Sequence, residues 1–194
     1  MPADIPADPV SPLPKLDPDI RLYGDVDKTM LDHFLEQLQT ALKGEGPLLL
    51  ELTTLGGDAD FGRRMAQEVR ICREHRGRDM WFIGKATVYS AGVTVMSAFP
   101  PNRRFLTRDT VILIHERKMK KTLKLEGAMR ASRAIVMDAL AEIDAAQAIE
   151  RMGFEYLVKD TGVSIDTLMA QVMTKNWYLT AEEALGHRLV GGLL

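Results

Sequence analysis

The chain has 194 residues, which suits one domain carrying a protruding helical appendage and is long enough to bury a proper core. Hydrophobic residues make up 46% and charged residues 27%, an ordinary soluble globular composition. The net charge of −2 gives no basic surplus for nucleic acid, and no aromatic-plus-basic stripe is present on which bases would stack. The single cysteine, Cys72, rules out an intrachain disulfide, reads as a small buried apolar residue and fits a cytoplasmic location. No basic flank precedes an apolar run at the N-terminus, so no signal peptide is expected. No stretch approaches the roughly 18 continuous apolar residues of a membrane span.

Residues 1–19 read as a flexible arm, because Pro2, Pro6, Pro9, Pro12, Pro14 and Pro18 deny it helix and central strand alike. The segment 20–26 predicts a short strand running into a turn. Apolar residues at Met30, Phe34, Leu35, Leu38, Ala41 and Leu42 predict a helix over 27–43, with Asp27 as N-cap and Gly44 as its stop. PLLLELTT (47–54) is a nearly continuous apolar run, as in a strand covered on both faces. After Gly56-Gly57 comes a helix over 58–75, then a strand over 79–86. This alternation predicts right-handed crossovers and a largely parallel sheet. A short apolar helix over 89–99 ends at Pro100-Pro101, and short strands follow at 103–106 and 110–115. Met129, Ile135, Val136, Ala139, Leu140, Ile143, Ala146 and Ile149 share one face of a long helix from about Leu125 to Arg151, which crosses or projects from the domain. Shorter helices are expected at 164–173 and 180–188, capped by Ser164 and by Thr180, the latter with Glu183 in capping-box spacing.

Two junctions are candidates for chemistry. In TTLGGD a strand ends in two glycines, which either satisfy the dihedrals of a turn or aim free N–H groups at an oxyanion. In WFIGKATVYSAGV a strand leads into a helix whose first turn holds Ser90. That serine either caps the helix or acts as a nucleophile beside its free N–H groups, with small Ala91 and Gly92 leaving room for substrate. His115 ends the apolar strand TVILI, where a histidine has no hydrophobic reason to stand. Strand ends of α/β sheets are where sites gather. The other three histidines, His33, His75 and His187, read as surface residues of helices.

Taken together, these segments resemble ClpP, the proteolytic subunit of Clp proteases, within the ClpP/crotonase superfamily. IRLYGDVDKTMLDHFLEQL resembles the family's opening strand, turn and first helix, and ELTTLGGDADFG its Gly-Gly segment. FIGKATVYSAGVTVMSAF resembles the segment carrying the catalytic serine, and NRRFLTRDTVILIH the strand pair ending in the catalytic histidine. KNWYLTAEEALGHRLVGGLL resembles the C-terminal stretch. Ser90 and His115 stand 25 positions apart, the family's usual spacing.

The resemblance covers roughly residues 20–194 and implies an α/β fold of the ClpP/crotonase type, a repeated ββα superhelix with a long helical handle at about 117–160. It implies a serine peptidase in a self-assembled homo-oligomer, acting on peptides or unfolded proteins, fed by an ATP-dependent unfoldase, with no cofactor, metal, nucleic acid or membrane involved. By position, Ser90 is the nucleophile, His115 the general base, and the N–H groups of Gly57 and Ala91 the oxyanion hole.

Several residues depart from the pattern. Asn176 stands where the family has the third triad member, an aspartate. It can orient the histidine but supplies no charge for the imidazolium, a loss that costs about 10⁴ in turnover in the trypsin-type template. Asp160 and Glu182 are nearby carboxylates in sequence. Lys85, Lys118, Lys120 and Lys121 are candidates for a lysine base, and Ser97 is the fallback nucleophile. Leu55 replaces a proline before Gly-Gly, and ERKMKKTLKLEG replaces the family's glycine-rich strand, with Met119, Leu123 and Leu125 alternating as in an edge strand. The proline-rich arm does not look like the family's axial loop, which puts ATPase docking in question. Two rival readings follow: a catalytically impaired ClpP-like scaffold or regulatory subunit, motivated by Asn176, and an acyl-CoA enzyme of the crotonase branch.

Overall fold

The computed structural model describes residues 13–173 and 175–194, so most of the proline-rich arm lies outside the described residues. Its centre is a seven-stranded mixed sheet. Strands β1 (Ile20–Tyr23), β2 (Leu48–Thr54), β3 (Met80–Tyr89), β4 (Arg104–Leu106) and β7 (Gly192–Leu193) lie side by side in parallel. Helices α1 (Lys28–Ala41) and α2 (Ala59–Glu74) make the crossovers between β1, β2 and β3, as the alternating pattern requires. Asp27 caps α1 by accepting from Met30 N, and Asp58 caps α2 by accepting from Asp60 N and Phe61 N.

Leu48, Leu50 and Leu52 of β2 face the main core with Phe34, Met65 and Val69. Leu49 faces the other side of the sheet with Trp81, Ile83 and Phe105, where Leu13 packs on them. β2 is therefore apolar because both of its faces are covered.

β3 changes neighbours along its length. Phe82–Gly84 pair with β4, whereas Thr87–Tyr89 pair with β5 (Val111–Ile114). Between the two halves Ala86 takes a φ of 55°, and β2 shifts register between Leu52 and Thr54. The kink extends the strand to Tyr89, past the end expected from sequence, and brings its tip and that of β5 together. β6 (Trp177–Thr180), where the sequence predicts no element before the helix expected from 180, runs antiparallel to β5.

The long helix α4 runs from Met129 to Val158, starting and ending later than the expected range of about 125–151. Its 30 residues span about 45 Å, yet Ala139 and Leu157 are its buried members, so most of the helix projects from the domain. Residues 115–126, before it, form no regular structure, and Met119, Leu123 and Leu125 are exposed rather than paired in a strand. Short helices α3 (Ala91–Met96), α5 (Ile165–Val172) and α6 (Ala181–Gly186) complete the fold, with Ser164 and the Thr180–Glu183 capping box in the predicted roles. His187 differs from the surface residue expected: it is half-buried with its ring 5.5 Å from that of Trp177. Among the described residues no helix is long and apolar enough to cross a membrane.

Among the described residues one buried charge ties the fold together. Arg104 donates from Nε to Phe99 O at 2.7 Å, from Nη1 to Leu157 O at 2.9 Å and Leu189 O at 3.1 Å, and from Nη2 to Ser97 O at 3.3 Å. Burial first, and then the charge of Arg73, push its pKa down to about 9, which still leaves it charged at neutral pH. The carbonyls it gathers are the free ends of α3, α4 and the turn after α6, groups that a helix C-terminus leaves without internal donors.

Candidate functional site

Three strand ends meet at one cavity of about 480 Å³. β2 delivers Gly57, β3 delivers Ser90 and Ala91, and β5 delivers His115. The β3–β5 register, with Tyr89 opposite Leu113, sets Ser90 level with Ile114 and leaves His115 one residue farther along. A hydrogen bond from Ser90 N to Leu113 O at 2.8 Å fixes that alignment. The spacing of serine and histidine in sequence is thus a consequence of two parallel strands ending together.

Ser90 has φ 52° and ψ −113°, a region that non-glycine residues avoid. The turn is the sharp strand-to-helix kind that thrusts a side chain out at the top of a sheet. Of the two readings left open for Ser90, the cap is not made: its side chain forms no capping hydrogen bond to α3. Space for this turn comes from glycine. A Cβ on Gly56 would stand 2.9 Å from Ser90 Cβ, and one on Gly92 would stand 2.4 Å from Thr54 Cγ2.

The Gly-Gly loop is held by Val26. Val26 N donates to Gly56 O at 2.8 Å, and Asp58 N donates to Val26 O at 2.7 Å. Gly57, at φ 146°, lies between these bonds. Neither its N–H nor that of Ala91 donates a hydrogen bond among the described residues. Both residues line the cavity that Ser90 enters.

His115 is half-buried in the same wall. Its Nδ1 lies 2.5 Å from the carbonyl oxygen of Glu116. A carbonyl only accepts, so the bond needs the proton on Nδ1, leaving the Nε2 lone pair to act as a base. His115 and Ser90 are not hydrogen-bonded to each other among the described residues. Asn176 comes one position before β6, so continuing the Ile114–Trp177 pairing sets it opposite His115 along the chain. It is exposed, does not line the cavity, and makes no hydrogen bond to the imidazole among the described residues.

The remaining candidates separate clearly. Lys85 is bound to Glu51 at 2.6 Å, and Lys121 pairs with Glu142, both away from the cavity wall. Lys118 does line the wall, whereas Lys120 is exposed and outside it. Ser97 lines it too, but it is buried and donates to Thr94 O at 2.7 Å. Neither Asp160 nor Glu182 reaches the cavity, whose carboxylates are Asp58, Glu116 and Glu150.

Glu150, on α4, escaped the sequence reading because it sits beside the apolar stripe as one more polar residue of an amphipathic helix. Burial raises its pKa most. The Arg117 N–H that its Oε2 accepts pulls the other way, Glu116 adds to the rise, and the charges of His115 and Arg117 lower it. Arg117 also clasps Asp60 at the head of α2, through Nη2 at 2.6 Å and Nη1 at 3.0 Å. That bond holds the Asp60 carboxyl below its ordinary range and raises the pKa of Arg117. The segment after His115 is therefore strapped across the cavity, from α2 to α4. Val93, Ile149, Met152, Phe154 and Leu157 give the cavity an apolar floor.

The Clp protease family model matches residues 11–194. The ATP-dependent Clp protease proteolytic subunit 2 of Treponema pallidum (strain Nichols) is 25% identical over 177 residues, spanning 90% of this chain and 81% of that protein. A solved structure of ClpP1 from Listeria monocytogenes, an asparagine-to-aspartate mutant, superposes with a TM-score of 0.73 at 16% identity, covering 90% of each chain. The order of strands, the serine at the kinked turn and the match along nearly the whole length lead to one assignment: the chain belongs to the Clp protease family and has the ClpP-type fold.

Proposed function

We propose that the chain is a serine peptidase subunit that hydrolyses peptide bonds through an acyl-serine intermediate. The observation that carries this reading is Ser90, held at a strained φ in the cavity lining, uncapped, with Gly57 and Ala91, whose backbone N–H groups make no hydrogen bond among the described residues, lining the same cavity. Ala86, Asp160 and Arg188 also have positive φ, but of these four Ser90 is the one that lines the cavity. The Ser90 proton passes to His115 Nε2 as the Oγ–carbon bond forms. The N–H groups of Gly57 and Ala91 hold the resulting oxyanion. The carbon–nitrogen bond then breaks as the same proton moves to the leaving amine. Water, deprotonated by His115, releases the acyl group and restores the serine.

The 480 Å³ cavity with its apolar floor suits an apolar side chain beside the cleaved bond. Alignment requires the His115 ring to approach Ser90, and assembly is a natural cause. The exposed apolar face of α4, with Ile135, Leu140 and Ile143, supports a homo-oligomer in which the handles cover one another. An ATP-dependent unfoldase as supplier of substrate, and a cytoplasmic site of action, belong to the same reading.

The test is a peptidyl phosphonate or β-lactone probe, followed by intact mass and peptide mapping. Stoichiometric labelling at Ser90, lost in Ser90→Ala and strongly slowed in His115→Ala, supports the peptidase. A native, assembled protein that takes no label supports the impaired scaffold instead, the second reading that Asn176 and the absent serine–histidine bond favour.

A further inference from the structure

The cavity lined by Ser90 continues into a second groove. Arg63, Arg70, Met152 and Tyr156 line both the cavity and this groove, which has a volume of about 490 Å³ and follows α2 beside α4. Helix α2 sets the scale. A Cβ on Gly62 would stand 2.9 Å from Ala91 O, so this turn of α2 packs against the residue after Ser90. Arg63 follows directly. Arg70 comes seven residues later, on the same helical face and about 10 Å farther along the axis. That distance is roughly three residues of an extended peptide.

Both arginines are half-buried, and among the described residues neither donates a hydrogen bond nor joins an ion pair. The carboxylates around them are engaged elsewhere. Asp58 caps α2, Asp60 is clasped by Arg117, Glu150 accepts the Arg117 N–H, and Glu68 pairs with Arg64. Glu74 and Glu116, the other acids of the two linings, are exposed and form no ion pair with either arginine. Lys118 and His75 are exposed as well. Arg70 is also held in place: its guanidinium carbon lies 4.4 Å from the centroid of the Tyr156 ring on α4. Such a stack leaves the N–H donors on the guanidinium rim open. A peptide seated on the serine strips water from these two groups, a cost that a carboxylate offsets and an uncharged side chain does not.

Resting on the peptidase reading, we propose that Arg63 and Arg70 are specificity-determining residues that receive a carboxylate of the bound peptide within about three residues of the cleaved bond. That carboxylate belongs to an acidic side chain or to the peptide's own C-terminus. The apolar floor takes one side chain, and the two arginines take an anion farther along α2. The preference works by discrimination: a site with unpartnered guanidinium groups rejects a peptide that leaves them without an acceptor.

The test separates binding from chemistry. Short peptides with acetyl and amide ends, carrying glutamate or glutamine at each position in turn, are titrated calorimetrically into the full-length Ser90→Ala chain. A second set compares a free C-terminal carboxylate with the amide. At one position, or at the free C-terminus, the acid should bind about tenfold tighter than its neutral twin, as for hydrogen bonds to a charged group. Where the gain falls tells which carboxylate is read. Arg63→Gln and Arg70→Gln should each lower that ratio, and the two together should bring it close to one. Arg76→Gln, an exposed arginine outside both linings, should keep it. A ratio near one at every position, with or without measurable affinity, overturns the subsite, and so does a ratio that survives both substitutions together. Failure of Ser90 to take a phosphonate in the parent chain strikes the peptidase reading alone, because the acid-to-neutral ratio is read in a chain without the nucleophile.

Discussion

Gly57→Ala joins the fold of the site to its chemistry. A Cβ built on Gly57 stands 2.4 Å from Val26 O and 2.8 Å from Val26 N. Real Cβ contacts essentially never fall below 3.0 Å, so the carbonyl and Cβ must part by at least about 0.6 Å. Val26 cannot yield freely, because its N–H and its C=O are both bonded to the loop, to Gly56 O and from Asp58 N. The φ of 146° is a second obstacle to any side chain.

The strain alone costs about 1–3 kcal/mol of stability. Relief means moving the loop, and the Gly57 N–H moves with it. Loss of one aimed oxyanion donor costs about 2.7–4 kcal/mol in the transition state, or 10²–10³ in rate. The assay pairs urea melts with second-order labelling rates for a phosphonate probe. The expected variant is folded, destabilised, and at least about 100-fold slower, with weak substrate binding little changed. A variant that labels at the parental rate would refute the assignment of Gly57 as an oxyanion donor. One of parental stability would refute the account of the loop as pinned by Val26.

Three further outcomes follow from the same geometry. Arg104→Met should cost about 3–5 kcal/mol in urea melts, since the buried carbonyls of Phe99, Leu157 and Leu189 lose their shared donor; a cost below about 1 kcal/mol would contradict the tie between α3, α4 and β4. Asn176→Asp should raise peptide turnover by at least about tenfold, with the 10⁴ of the trypsin-type template as the upper bound; unchanged turnover in an aligned, labelled enzyme would contradict a role for that position. The Asp60 carboxyl is held low by Arg117, so its stabilisation is present above the ordinary carboxylate range and lost as pH falls through the folded pKa. The advantage of the parent over Arg117→Gln in urea melts should therefore be full near about pH 6 and shrink below about pH 4, and a constant advantage would contradict the clasp.

Much of the frame was legible because it is written in local signals. Asp27, Ser164 and the Thr180–Glu183 pair announce helix starts by chemistry that acts within four residues. The run at Leu48–Leu50 announces a strand covered on both faces. Ser90 and His115 were read as a pair from the resemblance of their segments and their family spacing, and both line one cavity because parallel strands β3 and β5 end level. What stayed hidden depends on partners far away in sequence. β6 is a strand because Trp177–Thr180 pair with β5, and nothing in WYLT distinguishes it from the approach to a helix. The length of β3 depends on the kink at Ala86 and a second neighbour for its far half. Arg104 looks like a surface charge in RRFL, yet it is buried because three chain ends offer it carbonyls. Glu150 looks like one polar residue in a long helix until α4 is seen to pass over the site. His187 was read as exposed because the ring that covers it, Trp177, belongs to that unforeseen strand.

The most direct measurement is a crystal structure of the assembled protein after reaction with a peptidyl phosphonate. Phosphorus should be bonded to Ser90 Oγ, its oxygen within about 3.1 Å of both the Gly57 and Ala91 nitrogens, and the His115 ring swung toward Ser90. A phosphonate attached elsewhere, or one on Ser90 whose oxygen points away from those two amides, would contradict that geometry.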